Sequence, residues 1–117
     1  MTSPHFPPGP WLHSAFEAAA RTHGERTALV CGDRCTSYAE LHRGVAGVAA
    51  ALASAGIGRG DRVLLLLDNG VEFATAVHAV LRLGAVFVPV SPLTRTAKLD
   101  YLLADTGARA LLTQASL

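Results

Sequence analysis

The residues able to do chemistry are few and scattered. Cys31 and Cys35 are separated by three residues, and a metal site would need closer spacing and a second pair of ligands. The segment Cys31-Gly32-Asp33-Arg34-Cys35 reads as a hairpin turn. That leaves a disulfide geometrically open, although reduced thiols are the expectation in a reducing compartment. Of the histidines His5, His13, His23, His42 and His78, none has a second ligand or a nucleophile at useful spacing. Neither His78 with Glu72 nor His42 with Glu40 shares a helical face. Gly56, Gly58 and Gly60 resemble a phosphate-binding run, but they follow a helical pattern and precede a strand, the wrong order for cradling phosphate at a helix N-terminus. Asp68, Asn69 and Gly70 lie just past one apolar strand, and Ser91 and Pro92 just past another. If those strands are parallel, such carboxyl ends are where ligands bind; helix capping by Asn69 and loop shaping by Pro89 and Pro92 are the competing roles. No triad, metal cluster or carboxylate pair emerges. The sequence therefore names no catalytic, cofactor-binding or metal residue.

The elements that would position such residues are clearer. Met1 to Pro10 is a Pro-rich leader that cannot be helical. From Trp11 to His23, Leu12, Ala15, Phe16, Ala19 and Ala20 recur at helical spacing, and Gly24 stops the helix. Thr27–Cys31 and Arg34–Thr36 read as two short strands around Gly32-Asp33. Ser37-Tyr38-Ala39-Glu40 has the form of a capping box. It opens a helix with Leu41, Val45, Val48, Ala49 and Leu52 on one stripe and Gly56 at its C-terminal end.

Arg62–Leu67 and Ala85–Val90 are apolar without alternation, as strands covered on both faces are. Between them, a helix from Gly70 to Leu83 carries Phe73, Ala74, Val77, Val80 and Leu81, with Asn69 and Glu72 at capping-box spacing. A last helix is expected from Thr94 as cap, with Leu99, Leu102 and Leu103 inward and Gly107 at its end. Ala108–Thr113 is the final strand. Strands alternating with helices of this length make right-handed crossovers. The fold class expected is α/β: an open, mostly parallel sheet with helices on both faces plus a small N-terminal β-hairpin.

Composition narrows the function classes. The chain has 117 residues, half of them hydrophobic and 16% charged, with a formal net charge of +1. That is enough for one compact domain. No basic stripe favours nucleic acid, and no apolar run is long enough for a membrane span. The N-terminus lacks a signal-peptide pattern, which makes the cytoplasm the default.

The punctuation then resembles a known family. Thr36-Ser37-Tyr38-Ala39-Glu40-Leu41 is similar to the first core motif of the adenylate-forming (AMP-binding) enzymes. Gly58-Arg59-Gly60-Asp61-Arg62-Val63 resembles their linker into a strand, and Asp68-Asn69-Gly70-Val71-Glu72-Phe73 a segment usually written PNSxEF. The run Leu81 to Pro92 resembles the second core motif in its acyl- and aryl-CoA ligase form, and Tyr101 to Arg109 the passage that follows. Asp68 replaces the family's usual Pro, and Ser91 its Asn or Asp.

The resemblance implies an enzyme that activates a carboxylic acid with ATP and Mg as an acyl-adenylate. The acyl group then passes to coenzyme A or to the phosphopantetheine thiol of a carrier protein. It also implies that residues 11–117 are an incomplete N-terminal α/β subdomain, because the family's phosphate loop, acyl pocket and catalytic lysine fall beyond Leu117. The expectation is a fragment inactive alone, which self-associates or binds the remainder of the enzyme through an unpaired sheet edge. The alternatives are a non-catalytic interaction module or split subunit and, less favoured, a nucleotide-binding α/β domain of another class.

Overall fold

The computed structural model describes residues 12–114. The leader Met1–Pro10, with His5, lies outside them. The elements are α1 (Leu12–Thr22), β1 (Thr27–Cys31), β2 (Arg34–Ser37), α2 (Tyr38–Ser54), β3 (Arg62–Leu66), α3 (Val71–Arg82), β4 (Val86–Val90), α4 (Thr96–Thr106) and β5 (Ala110–Thr113). Strands β1 and β2 form an antiparallel hairpin, and the other three form a parallel sheet in the order β4-β3-β5. This is the α/β class expected from the sequence. Among the described residues no helix is long and apolar enough to cross a membrane.

Strand β3 is the centre of the molecule. Val63, Leu64 and Leu65 are fully buried, each contributing about 1.5–3 kcal/mol over an exposed position. Val63, Leu65 and Leu67 point into a cluster with Ala76 and Val80 of α3 and Leu52 of α2. Leu64 points to the opposite face. The crossover β3-α3-β4 steps one way across the sheet and β4-α4-β5 steps back over β3, so right-handed connections place α3 and α4 on opposite faces. Leu99, Leu102 and Leu103 of α4 are half-buried there.

Local chemistry explains most boundaries. The Ser37 hydroxyl accepts from the amide of Glu40 at 3.1 Å, and the Glu40 carboxylate accepts from the amide of Ser37 at 3.3 Å. The capping box therefore forms as expected. Helix α2 ends at Ala55, and Gly56 beyond it takes φ +89, a conformation that favours glycine.

Several expectations fail. Asn69 does not cap α3: the N-cap is Gly70, with no side-chain bond to the helix amides. Thr94 does not cap α4 either, since the N-cap is Arg95, while the Thr94 amide bonds to Ser91 O at 3.0 Å. Leu12 and Ala15 are exposed, leaving Phe16 as the one buried residue of α1. In α3 the buried residues are Ala76, Ala79 and Val80, while Phe73, Ala74, Val77 and Leu81 are half-buried. Small residues face inward here because α2 and α3 approach closely: a Cβ on Gly44 of α2 would lie 3.4 Å from Thr75 Cγ2. Strand β4 is an edge strand, with Val86 and Pro89 exposed. Its apolar run had read as a strand covered on both faces.

Candidate functional site

An open cleft of about 600 Å³ lies at the carboxyl ends of β3 and β5, beneath the hairpin and between α2 and α3. Its size is within the range of small-molecule sites. Leu41, Val48, Leu67, Ala76 and Leu112 give it an apolar floor. Alternation along the hairpin supplies one wall. Leu29 pairs with Thr36 and Cys31 with Arg34, so these four share a face. Thr36 is 3% exposed, and its Oγ1 has no hydrogen-bond partner among the described residues.

The rim is charged with both signs. Arg34 and Glu72 approach to 3.9 Å, both side chains more than half exposed, and such a pair contributes little. The Glu40 carboxyl is held below its ordinary value, chiefly by the hydrogen bond from the Ser37 amide, then by the Ser37 side chain; Arg43 and Arg34 add to it. Thr75 is committed to the backbone, its hydroxyl donating to Val71 O at 2.7 Å. Gln114 closes the β5 side by accepting from the Asp68 amide at 2.9 Å and donating to Asp68 Oδ2 at 3.1 Å.

Of the residues singled out beforehand at the strand ends, Asp68 borders this cleft through Gln114. Asn69 is exposed, and Ser91 is used locally, its hydroxyl accepting from the Leu93 amide at 3.2 Å. Arg34, Thr36, Arg43 and Glu72 were not anticipated as a group. The alternation of the hairpin could have joined Arg34 to Thr36; nothing local joins them to Glu72.

The register also decides the cysteines. Cys35 pairs with Val30 and Cys31 with Arg34, so the two side chains leave opposite faces of the hairpin. Both are free. The disulfide that the turn left open is excluded by geometry. The histidines converge on packing: His42 and His78 lie 6.0 and 4.5 Å from the Phe16 ring. Among the described residues no group of three His, Cys, Asp or Glu side chains could hold a metal ion.

Neither the glycine turn nor the N-terminus of α3 forms a phosphate cradle at this cleft. The turn holding Gly56, Gly58 and Gly60 precedes the amino end of β3, away from the cleft. The N-terminus of α3 carries the Glu72 carboxylate, whose Oε2 lies 3.7 Å from where a Cβ on Gly70 would stand. A phosphate there would meet negative charge. The cleft can bind and orient an amphipathic group, and no step of a reaction with ATP is assigned to it.

Residues 16–117 match the family model described as AMP-binding enzyme. The chain belongs to that family. It is 36% identical over 107 residues to the PKS-NRPS hybrid synthetase acdB of Aspergillus candidus, covering 92% of this chain and 4% of that protein. The N-terminal subdomain of Klebsiella oxytoca NpsA, solved with 3-hydroxyanthranilyl-AMSN, superposes with a TM-score of 0.78 at 26% identity; the match covers 87% of this chain and 26% of that one. Unliganded O-succinylbenzoate coenzyme A synthetase from Bacillus subtilis gives 0.78 at 32% identity, covering 87% and 22%. The chain thus spans a small part of the relatives it matches.

Proposed function

We propose that this chain is the opening part of the N-terminal subdomain of an acid–thiol ligase, in which it supplies scaffold and no catalytic residue. The complete enzyme activates a carboxylic acid with ATP and Mg as an acyl-adenylate and transfers the acyl group to a thiol. The match of residues 16–117 to the AMP-binding family carries this reading. The described residues hold the capping box and the crossover strands, and neither the glycine turn before β3 nor the Glu72-bearing N-terminus of α3 forms a phosphate cradle. The domain reading of residues 11–117, after a Pro-rich leader, belongs to the same proposal, as does a cytoplasmic location.

The acceptor has two readings. The relationship to a peptide synthetase favours the phosphopantetheine thiol of a carrier protein. The form of the Leu81–Pro92 motif, together with the coenzyme A synthetase likeness, favours coenzyme A.

The decisive assay is acid-dependent ATP–pyrophosphate exchange. The 117-residue chain alone is expected to give none, whereas a chain extended through its native reading frame is expected to exchange with its cognate acid. Loading of holo carrier protein against coenzyme A then separates the acceptors. Acid-dependent exchange by the short chain alone would overturn the assignment. Absence of exchange from the extended chain with any acid would favour an interaction module.

A further inference from the structure

Helix α1 is tied to the rest of the molecule in two different ways. Past its carboxyl end the backbone holds it: the Ala39 amide donates to Gly24 O at 2.9 Å and the Tyr38 amide to Arg26 O at 3.0 Å. A Cβ on Gly24 would lie 2.9 Å from Ala20 O, so the helix turns tightly into this anchor. Its amino half is held by Phe16, the one buried residue of α1, which packs with Leu41, Val45, Ala49 and Ala79. Among the described residues no hydrogen bond joins residues 12–17 to another element. The Glu17–Arg82 pair, at 3.8 Å and partly exposed, adds little.

Imidazoles from three helices meet at the Phe16 contact. His78 of α3 stacks on the Phe16 ring with centroids 4.5 Å apart, and His42 of α2 lies 6.0 Å from it. His13 of α1 is near enough to act on His78 through its charge. We infer that α1 is a pH-operated latch: as these histidines gain protons, its Phe16 end lifts away about the Gly24 anchor while the hairpin and the parallel sheet stay folded. None of these contacts involves an open sheet edge.

His78 Nδ1 is buried without a hydrogen-bond partner among the described residues. A proton placed there becomes a buried donor with no acceptor, on an ion withdrawn from water. The face of the Phe16 ring attracts a cation and offsets part of that cost. The remaining neighbours do not supply the rest. From α1 comes His13, a like charge once protonated, and from α2 come His42 and Tyr38. Arg82 follows His78 by one turn of α3, and it already engages Glu17, the acidic residue of α1. The hairpin offers the apolar Ala28 and Leu29 beside the same hollow of about 300 Å³. With α1 lifted, the imidazole meets water and titrates near the ordinary value of about 6.5. Burial first, and then His13, hold the latched value lower. The latch is therefore firm above the ordinary value and loosens as pH falls toward the latched one.

The test is amide hydrogen exchange of the 117-residue chain, corrected for the intrinsic rate at each pH, with residues 17–22 of α1 compared with residues 63–65 of β3. Helix α1 is expected to be the less protected of the two throughout, because it opens by itself. Over a pH range from about 1.5 units above the ordinary histidine pKa to about 1.5 below it, one proton excluded from the latched state raises the opening constant by up to about thirtyfold. His78→Phe keeps a ring on Phe16 and removes the titrating group, so it should abolish most of that rise. His13→Gln removes the repelling neighbour and should shrink the rise without abolishing it; this variant decides the matter if His78→Phe fails to fold. Equal protection of α1 and β3 would show that the helix leaves only with the whole molecule. That result, an opening constant of α1 that does not rise in acid, or a rise left unchanged in the variants that fold, would overturn the latch.

Discussion

The imidazole of His78 stacks on the ring of Phe16, with centroids 4.5 Å apart and planes 28° apart. This contact fastens α1 to α3, since Phe16 is the one buried residue of α1. Burial is the main cause that holds the His78 pKa below its ordinary value, and His13 adds to it; Nδ1 has no hydrogen-bond partner among the described residues. His42 and Tyr38 of α2 also flank Phe16, and the Glu17–Arg82 pair, at 3.8 Å, spans the same two helices. The folded state thus prefers neutral His78. Stability is full above the unfolded-state pKa of about 6.5 and declines as pH falls below it, until the lower folded value is passed. Thermal midpoints measured from about 1.5 pH units above that pKa to about 1.5 below it should show the decline. His78→Phe should flatten it; an unchanged pH profile would show that another group is responsible.

Ser37→Ala removes the hydroxyl that caps α2 and leaves the Glu40 amide without its acceptor. Urea denaturation should show a loss of about 1 kcal/mol, whereas Asn69→Ala, which removes no cap, should fall within about 0.5 kcal/mol of wild type. Equal losses at both positions would contradict the caps described.

Thr36 is buried with an unpartnered hydroxyl, so Thr36→Val removes a desolvated polar atom and breaks no hydrogen bond within the described residues. A gain in stability of up to about 1 kcal/mol is expected. A loss beyond that size would mean the hydroxyl has a partner in solution, such as a bound water.

Ala79 is fully buried among Phe16, Leu41 and Val45. Ala79→Leu should cost about 1–3 kcal/mol through overpacking. Val77→Leu, at a half-buried position on the same helix, should cost less, as read from the denaturation midpoint.

What could be read in the sequence was local. Ser37 and Glu40 are three residues apart, and their box forms because both partners lie within one turn. Asn69 and Glu72 have the same spacing and form none. The Asp68 amide is taken by Gln114 from 46 positions away, and Glu72 turns to Arg34 of the hairpin. The alternation of helices and strands gave the fold class, yet β4 read as a core strand because its residues are apolar. Its edge position depends on β5 choosing the other side of β3, a long-range event with no local signature. The cleft was hidden for the same reason: Arg34, Arg43, Glu72 and Gln114 come from four separate segments.

The strand order β4-β3-β5 has a consequence for biosynthesis. Val63, Leu64 and Leu65 emerge from the ribosome well before Ala110–Thr113. During that interval β3 can pair with β4 alone, and the strand destined for the centre is temporarily an apolar edge. Closing it requires a long-range contact, with Val63 pairing with Ala110, the slow kind of contact in folding. A nascent chain paused before residue 110 would therefore expose the molecule's most buried residues to chaperones and to other nascent chains. Adding the four-residue strand β5 hides them.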